Sequence, residues 1–412
     1  MKLAFLCLVA ALGGLLFGFD TVVISGAKPF YEPVFGIDAG SWASGFAMSS
    51  AVVGCIVGAI GFMRLPDRFG RKTALAVSAV FFLVGAAGTA LAGSIWSFIV
   101  YRVMGGVGIG IASNASPLYI AEVSPPERRG ALVSLNQLAI VLGIILAQFS
   151  NWVVFKAVAD VSINWRIMFG VGALPAVAFL ALTFAIPESP MWLVARRVDQ
   201  APARQAAGEA SACPQCVRAY LPVLVLGIFL AIYQQWSGIN AVLYYAADIL
   251  TMASFDISGA MVNQIGVGAV NLLGTVVAIF IIDRVGRRRL LLGGAAALAV
   301  FHALLGCSYR FGLSGFWSLA ALLGVVASFA VTLGPVLWVV LSELFPTRIR
   351  GTAMSVSIAA LWIGCYTVAL SFPPLTSALG ADGCFWLYAI VSATAFFVIR
   401  RFVSETGGKS LE

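Results

Sequence analysis

Long apolar runs, separated by short polar breaks rich in Gly and basic residues, dominate the chain. Twelve of them reach the roughly 20 mainly apolar residues that a membrane-crossing helix needs. They lie at 4–26, 42–62, 73–93, 95–120, 131–155, 167–186, 221–250, 259–282, 290–311, 316–343, 352–372 and 383–402. The alternating polar and apolar segments of a membrane barrel are absent, and over such runs only a helix satisfies its own backbone in lipid. The first run continues past any cleavage site and carries Asp20, which predicts a first span rather than a cleaved signal.

Composition fits this pattern. The 412 residues are 61% hydrophobic and 10% charged, against about 25% charged in soluble domains. A soluble particle, a disordered chain, a coiled coil and a disulfide scaffold are excluded on that count. The net charge of +8 is not a nucleic-acid surface, because 20 of the 25 basic residues fall in alternate connections. These are Lys2; Arg64, Arg68, Arg71, Lys72; Arg128, Arg129; Arg196, Arg197, Arg204, Arg218; Arg284, Arg287, Arg288, Arg289; Arg348, Arg350; and Arg400, Arg401, Lys409. Lys28, Lys156, Arg166 and Arg310 fall on the other side, and Arg102 lies inside a span. The crowded side is expected to be cytoplasmic, with both termini inside, in the cell's inner (plasma) membrane. The lipid bilayer is the expected partner, and nucleic acid is not.

The chain repeats itself. Asp67-Arg68-Phe69-Gly70-Arg71-Lys72 returns as Asp283-Arg284-Val285-Gly286-Arg287-Arg288, 216 residues later. Ala121-Glu122 with Arg129-Gly130 returns as Ser342-Glu343 with Arg350-Gly351, and Pro187-Glu188-Ser189 as Ser404-Glu405-Thr406. Three motifs in one order and near-constant register predict an all-α membrane protein of twelve transmembrane helices in two six-helix halves, the arrangement of alternating-access transporters. The halves are expected at 1–190 and 221–412, with a cytoplasmic linker at 191–220. Topology calls only for Lys and Arg, so the repeated acids need another reason. Asp67, Arg71, Glu122, Arg129, Glu188, Asp283, Arg287, Glu343 and Arg350 are expected to form charge-assisted contacts between the halves, a gate that closes the cytoplasmic side. A plain basic anchor is the competing reading.

These motifs, together with several inside the spans, resemble the sugar porters of the major facilitator superfamily over nearly the whole chain. They include Gly14-Leu15-Leu16-Phe17-Gly18-Phe19-Asp20, Arg102 with Gly105 and Gly106, and Pro187-Glu188-Ser189-Pro190. They also include Gln234-Gln235-Trp236-Ser237-Gly238-Ile239-Asn240, Gly334-Pro335-Val336-Leu337-Trp338 and the tail from Ser404 to Glu412. Within that family the pattern looks most like the bacterial xylose– and hexose–proton symporters. It departs at Met63, Pro66, Met191, Ser404 and Gly407, and its linker is about half the family's usual length, which bears on the gate more than on the substrate.

A sugar needs many hydrogen-bonding partners and an apolar wall for its C–H faces. Amides are uncommon in spans, so Gln137, Gln234, Gln235, Asn240 and Asn271 stand out, with Tyr244 one turn beyond Asn240. Taken singly, each amide fits an interhelical hydrogen bond and each Trp an interface belt. The resemblance implies that these residues line the sugar site with Phe17, Trp338 and Trp362. Ile144, Leu361 and Cys365 stand where relatives carry further amides, which implies a hexose such as glucose over a pentose. Asp20 and Arg102 are the deep acid and base of the first half, and such charges are paired or functional. The resemblance implies a proton-coupling pair, whose proton affinity would follow its separation and hydration. A permanent buried pair between spans 1 and 4 is the competing reading.

Other signals are weaker. Cys213-Pro214-Gln215-Cys216 lacks further metal ligands nearby, since the sole His is His302, so neither metal nor cofactor is expected. His302 and Arg310 read as packed or water-facing. Gly106-x-Gly108-x-Gly110 lies within a span with no preceding strand and no phosphate-binding Lys, and reads as helix packing. An enzyme would need a nucleophile–base or metal set that the chain lacks. The expected function is import of a monosaccharide with a proton by alternating access. A passive facilitator and a non-transporting sugar sensor are the alternatives.

Overall fold

The computed structural model describes residues 3–125, 128–199, 214–313, 315–345 and 350–405. Residues 200–213 of the linker, including Cys213, and the tail from 406 lie outside the described residues, as do the side chains of Asp283 and Arg350. The described helices are α1 (Leu3–Phe35), α2 (Trp42–Gly61), α3 (Leu65–Phe69), α4 (Arg71–Ala90), α5 (Ile95–Val123) and α6 (Arg129–Ala157). Then come α7 (Val161–Val171), α8 (Ala173–Ala185), α9 (Pro190–Asp199), α10 (Pro214–Trp236), α11 (Ile239–Tyr244) and α12 (Ala246–Met252). The last are α13 (Ile257–Val285), α14 (Arg287–Arg310), α15 (Gly315–Val331), α16 (Leu333–Leu344) and α17 (Arg350–Phe402).

Among the described residues, eleven stretches are long and apolar enough to cross a membrane, and the last of these, in α17, is two spans joined at Gly380 (φ 75, ψ 166). The twelve expected spans are therefore present, in two six-helix halves. Three of them are broken: α7–α8, α10–α11 and α15–α16 each form one span in two pieces. The breaks matter because unpaired backbone in a membrane must find partners inside the protein.

The first span is longer than its apolar run. The sequence pattern stops it at Gly26 because Lys28 and Glu32 follow, yet α1 continues to Phe35. Both charges are buried and partnered, so they do not end the helix. Elsewhere small residues set the spacing. A Cβ on Gly18 of α1 would stand 1.8 Å from the Ile140 carbonyl of α6, and one on Gly106 of α5 would stand 1.9 Å from the Ala51 carbonyl of α2. Backbone meets backbone at both crossings, the close approach that small residues permit in membranes. The Gly18 crossing also fixes the neighbouring turn of α1, which carries Phe17 and Asp20.

Gly18→Val is expected to push α1 off α6 at a cost of about 1–3 kcal/mol, because a backbone carbonyl cannot step aside. Thermal unfolding of detergent-solubilised protein should show a lowered midpoint. Gly61→Ala, at a position with nothing within 4 Å of the added carbon, should leave it unchanged.

Candidate functional site

A buried ion pair joins α1 to α5. Arg102 Nη1 lies 2.7 Å from Asp20 Oδ1, and both terminal nitrogens reach the Asp20 carbonyl at 3.3 Å. The guanidinium sits 5.3 Å from the Phe169 ring centre, which closes its far side. Arg102 is only 2% exposed. Asp20 Oδ2 has no hydrogen-bond partner, so one carboxylate oxygen is anchored and the other is available.

The second group of the site is the amide cluster of the second half. Gln234 donates to the Leu333 and Gly334 carbonyls at 3.0 and 3.3 Å, tying α10 to α16. Gln235 donates to Gln234 Oε1 at 2.9 Å, and Asn240 donates to Gln235 Oε1 across the break between α10 and α11. Cys365 of α17 lies 3.5 Å from both Asn240 Nδ2 and Tyr244 Oη. One turn earlier on α17, Trp362 packs on Phe17 of α1 with ring centres 5.7 Å apart. The structure therefore gathers Phe17, Gln234, Gln235, Asn240, Tyr244 and Trp362 into one region where the halves meet. Gln137 is half-buried on α6, Asn271 is buried on α13 and Trp338 is 39% exposed on α16. These three make no hydrogen bond to the cluster. Gln234 has both ends of its amide committed to protein groups, which gives it a structural share as well.

The repeated charged motifs form two matching brackets at the end of the molecule that holds the described chain ends. In the first half, Glu188 accepts from the backbone N–H groups of Arg71 and Lys72 at the start of α4, at 2.9 and 3.1 Å. A carboxylate at a helix N-terminus is favourable. The Arg71 side chain then holds Glu122 at 2.9 Å and Asp67 at 3.1 Å, and Ser189 donates to Glu122. The second half copies this plan: Glu405 accepts from the Arg287 and Arg288 N–H groups at 2.9 and 3.2 Å, and Arg287 meets Glu343 at 3.2 Å. In this state these contacts lie within each half. The reason is local: the arginine opening the helix after each Gly turn sits beside the acid closing the next span. Arg129, expected beside Glu122, is exposed at the start of α6.

Among the described residues, the polar contacts that join the halves lie at the opposite end. Lys28 Nζ is 2.6 Å from Asp248 Oδ2 and 3.5 Å from Glu32 Oε2, with Lys28 on α1 and Asp248 on α12. Ser44 donates to Glu32 at 2.5 Å. Ser377 donates to the Gly40 carbonyl at 3.2 Å, and Lys156 to Ser258 at 2.9 Å. A cavity of about 250 Å³ lies beside the lysine, lined by Lys28, Gly40, Tyr245, Asp248, Thr376 and Ser377. Sequence reasoning missed this cluster. Its signal was Lys28 on the poorly charged side, with an acid four residues on.

The chain matches the model of the family described as sugar (and other) transporters twice, at residues 6–211 and 205–412. It is 36% identical to the D-xylose-proton symporter of Escherichia coli (strain K12), over 98% of this chain and 93% of that one. It is also 36% identical to the glucose transport protein of Synechocystis sp. (strain ATCC 27184 / PCC 6803 / Kazusa), over 98% and 95%. Its fold superimposes on the inward-open conformation of the xylose transporter XylE from E. coli with a TM-score of 0.87, at 36% identity, covering 100% of this chain and 98% of that one.

Lys28→Met leaves Glu32 and Asp248 facing each other without their cation. Breaking such a buried pair costs about 3 kcal/mol. The closed end should open more often. In a Ser377→Cys background, labelling by a membrane-impermeant maleimide should then be faster by roughly tenfold, since 1.4 kcal/mol is already a factor of ten.

Proposed function

The chain belongs to the sugar transporter family of the major facilitator superfamily, and from that premise we propose that it imports a monosaccharide with a proton by alternating access. The observation that carries the coupling is the Asp20–Arg102 pair, a buried acid with one oxygen on the base and the other without a partner. It lies one turn from Phe17, whose ring packs on Trp362 of the other half. A proton arriving on Asp20 Oδ2 neutralises the acid and weakens its hold on Arg102. The α1–α5 contact and the inter-half contact are thereby linked through one turn of helix.

In this reading the sugar lies between Phe17, Trp362 and the Gln235–Asn240–Tyr244 surface, with Gln137, Gln234, Asn271 and Trp338 completing the walls. Amides donate and accept, which suits hydroxyl groups, and the aromatic rings take the C–H faces. Cys365, not an amide, touches Asn240 and Tyr244. A site with fewer polar partners favours a hexose, with pentoses the competing class. The likeness to both a xylose symporter and a glucose transport protein supports the sugar class.

We place both termini in the cytoplasm, in the cell's inner membrane, with residues 191–220 as the linker. The end closed by Lys28, Glu32 and Asp248 then faces outward. The brackets around Arg71 and Arg287 serve as rigid fittings that keep each half a single moving body, and they set the faces that meet when the cytoplasmic end closes.

Asp20→Asn is expected to abolish sugar-driven proton uptake while sugar exchange survives. Radiolabelled uptake into proteoliposomes across a sugar panel, with and without a pH gradient, measures both. Wild-type uptake that ignores a protonophore would sink symport and leave a passive facilitator. Sugar binding without net flux would leave a sensor.

A further inference from the structure

Ser237 and Gly238 separate α10 from α11, and the break deprives the Ser237 carbonyl of a helical donor. The first backbone bond into α11 runs from Val242 N to Gly238 O at 3.0 Å. The missing donor comes from another helix. His302 of α14 places Nε2 2.8 Å from the Ser237 carbonyl and is fully buried. A carbonyl only accepts, so Nε2 carries the ring proton. The imidazole is held between two rings of α17: Phe385, nearly parallel at 5.9 Å, and Tyr388 at 5.6 Å. Gly238 adopts φ +88, and a Cβ there would stand 2.7 Å from His302 Nε2. Break and histidine are fitted to each other.

The residues flanking this break are the amide cluster. Gln234 and Gln235 precede it, Asn240 and Tyr244 follow it, and the Asn240–Gln235 hydrogen bond crosses it. We propose that His302 is a positioning residue for sugar recognition. Its donation to Ser237 fixes the angle between α10 and α11, and with it the spacing of the groups that bind the hydroxyls. The inference rests on the sugar site proposed above. His302 acts through the Ser237 backbone and does not itself contact the sugar. Without the donor, a buried carbonyl is left unpaired and the break relaxes toward a geometry that re-pairs it. Gln235 and Asn240 then lose their mutual register.

Sugar uptake kinetics in proteoliposomes test this, with size-exclusion profiles reporting folding. His302→Phe keeps a stacked ring but removes the donor, and its KM for sugar should rise about tenfold with Vmax within about twofold. His302→Gln brings an amide N–H to similar reach and should return KM to within about twofold of wild type. A wild-type KM in His302→Phe overturns the proposal. So does a His302→Gln as weak as His302→Phe, which assigns the effect to ring packing. If His302→Phe does not fold, Gly238→Ala strains the same contact from the other side. It should raise KM in the same way, and an unchanged KM there overturns the proposal. Gln235→Ala, measured in parallel, separates the two readings. An unchanged KM there removes the sugar site itself, whereas a raised one beside a normal His302→Phe removes only the role of His302.

Discussion

A polar or charged group inside a lipid-embedded bundle has no water to fall back on, so it must find its partner within the protein. Most of what distinguishes this molecule follows from that constraint. Lys28 and Glu32 extend α1 beyond its apolar run because Asp248 and Ser44 meet them. The broken span α10–α11 survives because side chains take over the backbone groups it frees. Arg102 sits almost fully buried because Asp20 and the face of Phe169 enclose it.

The same constraint divides the structure into rigid and movable parts. In the first half, backbone crossings at Gly18 and Gly106 leave little slack, and in each half the brackets around Arg71 and Arg287 tie neighbouring helices together. Between the halves, the polar contacts gather at one end, around Lys28. An ion pair between two bodies resists separation while it is dry and loses most of that resistance once water enters. A buried lysine shared by two acids suits a closure that must form and break in each cycle. A large apolar interface would resist opening without that dependence on water.

The candidate site sits between these regimes. The clustered amides Gln234, Gln235 and Asn240 lie on the broken span α10–α11, and the aromatic wall bridges the two halves through Phe17 and Trp362. The Asp20–Arg102 pair lies one turn along from Phe17. The inter-half ring contact and the acid–base pair thus share a short stretch of α1. A movement of that stretch is felt by both.

Much of the architecture was legible in the sequence. Span number follows from apolar run length because bilayer thickness sets a fixed requirement, and the two halves follow from motifs repeated in register. Asp20, Arg102 and the amides were visible because polar side chains inside apolar runs are costly enough to need a reason. Partner choice was not legible. Nothing in spacing tells that Arg71 takes Glu122 while Arg129 faces solvent, or that Lys28 crosses to Asp248, 220 residues away. Nor does it tell that the lone histidine completes a break on a different helix. Burial cost is a property of one residue in one run, so the sequence alone determined it. Pairing depends on which helices become neighbours, and only the packed tertiary structure decided that.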